Sequence, residues 1–130
     1  ADFTGGYCDD EACAQAIKEM YEQHGYVMDP HTAVAYKVMK DYEKEDSEHK
    51  CVLLSTASPY KFAPAVYEAI FGKGDEDEFA CMKQLEEKTG AQIPAPLKEL
   101  STMEIRHNAL VDKDDMEAFV QKTVEEMFHD

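Results

Sequence analysis

Lys50-Cys51-Val52-Leu53-Leu54 runs without a break into Ser55-Thr56-Ala57-Ser58-Pro59-Tyr60-Lys61-Phe62, and no other stretch restricts the fold of this chain as much. The apolar run Cys51 to Leu54 reads as a short strand buried on both faces, the form that parallel sheets use. Small hydroxyl residues then replace it. Pro59 suits the first turn of a helix, where its missing N–H costs nothing, and Ser58 is placed to cap that turn. A hydroxyl-bearing loop between a buried strand and a helix start is where open α/β sheets place ligands. The same pattern also serves as an ordinary strand-to-helix connection, so the residues themselves must decide.

Helices dominate the rest. Asp9 and Asp10 open one whose Cys13, Ala16, Ile17, Met20 and Tyr21 recur at helical spacing, and Gly25 stops it. After the extended piece Tyr26-Val27-Met28, Asp29 is a cap and Pro30 a first helical residue for a well-buried helix running to about Tyr42. Asp41 to Lys50 reads as a charged loop or fraying helix end. A helix from about Pro59 carries Phe62, Val66, Ile70 and Phe71 as far as Gly72, and another spans roughly Asp77 to Lys88 before Gly90. Pro96 to Leu100 suggests a short helix, and Ile105 to Val111 a second strand. Asp112 and Asp115 open the last helix, in which Met116, Phe119, Val120, Thr123, Val124 and Met127 share a face. Six helical pieces thus surround one clear strand, and a buried parallel strand needs neighbours on both sides to satisfy its backbone. The expected fold class is therefore α/β: a predominantly helical fragment around a short parallel strand region, forming part of a larger doubly wound fold or pairing with a second copy.

Composition excludes several functions. The chain has 130 residues, the size of one domain or domain fragment (residues 1–130), and its 44% apolar content supports a packed core. Twenty-eight acidic against 13 basic residues give a net charge of −15, which repels nucleic acid and anionic membrane surfaces. No apolar run approaches the roughly 18 residues of a membrane span, and no charged-then-apolar leader suggests secretion. The first residue is Ala1, so a processed chain or a piece of a longer one is expected. Cys8, Cys13, Cys51 and Cys81 form no close ligand pair, so no metal site is expected. Packing is the expected role of Cys13 and of Cys51, and reduced thiols fit a cytoplasmic protein.

Gly25-Tyr26-Val27-Met28-Asp29-Pro30-His31-Thr32-Ala33-Val34-Ala35 and Ser55-Thr56-Ala57-Ser58-Pro59-Tyr60-Lys61-Phe62, with the helix start Asp9–Glu11 and the run Cys51–Leu54 in the same order, resemble the C-terminal portion of threonine synthase. That family consists of fold-type-II pyridoxal 5'-phosphate enzymes, lyases that convert O-phosphohomoserine and water to threonine and phosphate. The likeness is good over about residues 9–72 and looser beyond them. It implies a cytoplasmic enzyme of threonine biosynthesis. It also implies that Thr56 hydrogen-bonds the pyridine nitrogen of the cofactor, where a neutral hydroxyl can donate to an unprotonated ring nitrogen. The family holds the cofactor with a lysine and cradles its phosphate with a glycine-rich loop. No lysine here stands in that context, and the glycines are scattered apart from Gly5-Gly6. The chain therefore resembles a fragment that is inactive alone, with no catalytic residue of its own and no cofactor bound by itself.

His31, near a helix start where partial positive charge favours anions, is a candidate for the substrate's phosphate or carboxylate, and equally for a bond to nearby backbone. Lys61 lies in a first helical turn, against the dipole preference, and is either a second anion contact or a solvated lysine. Ser55 points away from Thr56 if the backbone is extended and reads as structural, like Ser58. The alternative to an enzyme fragment is a stand-alone acidic helical module that binds a partner protein. Self-association through an uncovered strand edge is a further expectation.

Overall fold

Asp9 begins the first helix, α1 (Asp10–His24), by accepting a 2.8 Å hydrogen bond from the N–H of Ala12. Gly25 ends it at φ +65°, a left-handed conformation that costs glycine little, and its N–H returns to the carbonyl of Tyr21. The structure is a computed structural model that describes residues 3–128, so Ala1 lies outside the described residues. Asp29 caps α2 (Pro30–Tyr42), with Pro30 in its first turn. A 3-10 turn over Pro59–Phe62 leads into α3 (Ala63–Phe71). Asp77 caps α4 (Glu78–Thr89) through the N–H of Ala80 at 2.7 Å. A short α5 (Ala95–Glu99) and α6 (Met116–Phe128) complete the order.

Helix α1 packs between α2 and α3, and α4 lies on α3. The apolar stripes that the sequence places at helical spacing meet in one core. Ile17 comes from α1, Ala33 and Tyr36 from α2, Val66, Tyr67 and Ile70 from α3, and Cys81, Met82 and Leu85 from α4, with Met28 filling the centre from the loop before α2. Tyr21 meets Phe71 edge-on, with ring centroids 5.5 Å apart, which fixes α1 against α3. Gly6 lies against α2 so closely that a Cβ would come within 2.8 Å of Val38 Cγ1. The Gly5-Gly6 pair therefore includes a packing position.

The strands expected from the sequence are absent among the described residues. Cys51–Leu54 is neither helix nor strand, with Val52 87% and Leu54 76% exposed, and Cys51 is exposed rather than packed. Ile105–Val111 is likewise without regular structure, and Ile105 and Leu110 are exposed. The reason is physical: a strand is made by a neighbour's backbone, and no segment here supplies one. The predominantly helical character expected of the fragment is therefore present, while the expected strand region is not formed among the described residues. Cys51, Val52 and Leu53 instead border a shallow groove beside Val38, Met39 and Tyr42 of α2. The shared apolar face of α6 is also uncovered, since that helix contributes no buried residue. No described helix is long and apolar enough to cross a membrane.

Candidate functional site

Two segments meet at the start of α2. Asp29 Oδ1 accepts from the N–H groups of His31 at 2.9 Å and Thr32 at 3.3 Å, and Oδ2 accepts from the Thr32 hydroxyl. These donors, together with the positive end of the helix dipole, allow a carboxylate only 1% exposed to be buried. Thr32 Oγ1 is also 3.1 Å from Ser55 Oγ, and the Tyr26 hydroxyl is 3.4 Å from the same Ser55 oxygen. Residues 26–32 are thereby tied to the loop before α3.

A second contact lies beside this tie. The imidazole of His31 packs on the ring of Phe62 at 4.9 Å between centroids, and its Nδ1 is 3.3 Å from Asp29 Oδ1. Ser58 caps the 3-10 turn by accepting from the N–H of Tyr60, as its position predicts. Tyr60, buried beneath that turn, donates to the carbonyl of Ala91. The loop holding Thr56 is thus anchored on both sides while Thr56 itself stays exposed.

The three candidate residues fall as follows. Thr56 is exposed on the loop between the Ser55 tie and the Ser58 cap. His31 is largely exposed at the start of α2, with both its backbone N–H and its ring next to Asp29. Lys61 is exposed on the 3-10 turn, next in sequence to the Phe62 that touches His31. The fold therefore brings the His31 and Lys61 segments together and sets Thr56 one residue from the tie that joins them. Sequence reasoning treated Asp29 only as a cap and did not single out Thr32. The signal was present, because Thr32 stands three residues after the cap, where a side chain can reach back to it. Among the described residues no three His, Cys, Asp or Glu side chains are grouped to hold a metal ion.

A sequence model of the family described as "Threonine synthase, C-terminal" matches residues 32–122, most of the chain. The chain belongs to the threonine synthase family. Threonine synthase of Saccharomyces cerevisiae is 30% identical over 131 aligned residues, covering 96% of this chain and 23% of the yeast protein. Threonine synthase-like 1 of Homo sapiens is 42% identical over 69 residues, 53% of this chain and 9% of that protein. Threonine synthase of Escherichia coli is 42% identical over 65 residues, 50% of this chain and 14% of that protein. The chain thus spans less than a quarter of the length of these threonine synthase relatives.

Proposed function

We propose that this chain is the C-terminal part of a cytoplasmic threonine synthase, a pyridoxal 5'-phosphate-dependent lyase that converts O-phosphohomoserine and water to threonine and phosphate. The observation that carries the reading is the tie between Thr32 and Ser55, which joins the two segments bearing the family likeness. The donor set fits the cofactor: Thr56 is an exposed neutral hydroxyl on an anchored loop, able to donate to a pyridine nitrogen. When bound, pyridoxal phosphate supplies the electron-withdrawing ring on which elimination of phosphate and addition of water depend. Thr56 would hold that ring by donating its hydroxyl to the ring nitrogen, where a carboxylate would instead favour a protonated ring. His31 and Lys61, both exposed, meet anionic groups of the substrate, His31 with the added pull of the α2 dipole. The cofactor lysine and phosphate loop come from the remainder of the enzyme, so residues 1–130 alone are inactive. In that larger doubly wound fold Cys51–Leu54 becomes a sheet strand, which accounts for apolar side chains left open on this chain.

Growth of a threonine-requiring strain lacking threonine synthase tests this reading. The complete gene containing this region should restore growth, and residues 1–130 should not. In the complete enzyme Thr56→Val should retain the fold, shift the cofactor's absorbance and lower turnover; an unchanged spectrum and rate would remove Thr56 from the site. A second reading, an acidic helical module for a basic partner protein, draws on the −15 charge and the uncovered face of α6. It takes over if the complete gene fails to restore growth.

A further inference from the structure

Tyr26, Ser55, Thr32 and Asp29 form an unbroken series of side-chain hydrogen bonds from the surface to the interior. Chemistry fixes its direction. A carboxylate only accepts, so the Thr32 hydroxyl gives its single proton to Asp29. Thr32 must then accept from Ser55, and Ser55, its own proton used, accepts from Tyr26. Each hydroxyl gives its proton to one acceptor, and the series ends on a carboxylate that the start of α2 holds in place.

The two oxygens of Asp29 divide the work. Oδ1 caps the helix through the N–H groups of His31 and Thr32, while Oδ2 receives the Thr32 hydroxyl. Capping and the reach to Ser55 are therefore separable. No backbone hydrogen bond ties residues 51–57 among the described residues, so that segment depends on side chains for its position. Ser55 and Thr56 are consecutive in an irregular stretch, and the bonds of this series engage the first hydroxyl and not the second.

We propose that Asp29 and Thr32 are positioning residues for Thr56: acting through Ser55, they fix the backbone that presents the Thr56 hydroxyl to the cofactor ring. This rests on the reading of Thr56 as the ring-nitrogen contact. Thr32→Val removes the hydroxyl at nearly constant volume and keeps the cap, whereas Thr32→Ser keeps both. In this chain the amide order parameters of Ser55, Thr56 and Ala57 should fall from about 0.85 to below about 0.6 in Thr32→Val and return in Thr32→Ser. Ser55→Ala, at an exposed position, should reproduce the loss and decides the matter if Thr32→Val does not fold. Order parameters unchanged in Ser55→Ala would overturn the proposal. In the complete enzyme with pyridoxal phosphate bound, Thr32→Val should shift the absorbance in the direction of Thr56→Val, and the double variant no further than Thr56→Val alone. Fully additive shifts would also overturn it. Loss of loop order with no spectral effect of Thr56→Val would instead leave the tie intact and remove the cofactor reading on which the positioning role depends.

Discussion

The hydroxyl of Tyr60 donates to the backbone carbonyl of Ala91, 31 residues further along the chain. This bond joins the turn before α3 to the segment after α4, so the base of the candidate loop depends on a residue absent from either motif. Tyr60→Phe leaves that partly buried carbonyl short of a donor and should cost about 1–3 kcal/mol, measured by denaturant unfolding. Burial also pushes the Tyr60 phenol above its ordinary value of 10.0. Its neutral form is favoured in the folded state, so its contribution is complete below pH 10 and declines as pH rises through the folded-state value. A stability profile between pH 9 and 11 should fall less steeply in Tyr60→Phe than in the unaltered chain.

The caps of α1 and α2 should differ in worth. Asp9 is exposed and satisfies one N–H, whereas Asp29 is buried and satisfies two N–H groups and a hydroxyl. Asp9→Ala should cost about 1 kcal/mol and Asp29→Ala about 2–3 kcal/mol, because the second leaves buried donors without partners. Equal losses by thermal unfolding would contradict the buried geometry of Asp29.

Thiol chemistry separates the cysteines. Cys51 is exposed and Cys81 fully buried, and burial also raises the Cys81 and Cys13 thiols above their ordinary range. A disulfide reagent at pH 8 should modify Cys51 first and Cys81 only on unfolding, as peptide mass mapping over time would record. Protection of Cys51 in this chain would restore the packed role expected from sequence.

Truncations should distinguish the core from the uncovered helix. Leu85→Ala removes a fully buried side chain and should cost about 2–5 kcal/mol. Val120→Ala, on the open face of α6, should stay within about 0.5 kcal/mol by the same measurement.

Open apolar side chains also make self-association testable. Replacing Val52 and Leu54 by lysine should weaken concentration-dependent association in sedimentation while leaving stability within about 0.5 kcal/mol. Association that persists unchanged would shift attention to α6.

The helices were legible because their signals are local. Asp9 and Asp29 open their helices, Gly25 and Gly90 stop theirs, and the apolar spacing marks buried faces, including those of Ile17 and Val66. Cys51–Leu54 forms no strand among the described residues, because its apolar run describes a surface to be covered and nothing local says whether the cover lies within these residues. The residue types of the candidate site were visible, but the bond between Thr32 and Ser55 was not. It crosses 23 positions, and neither residue alone announces the other.

The close approach of Gly6 to Val38 has a consequence for the groove beside it. Thr4, two residues earlier, borders the same shallow groove as Cys51, Val52 and Leu53. The main chain of residues 51–57 beside that groove carries no backbone hydrogen bond among the described residues, so its amides and carbonyls are still unclaimed. A side chain larger than hydrogen at position 6 would press on Val38 of α2, so the stretch of chain through Thr4 would have to lift away from the groove and leave those groups more open still.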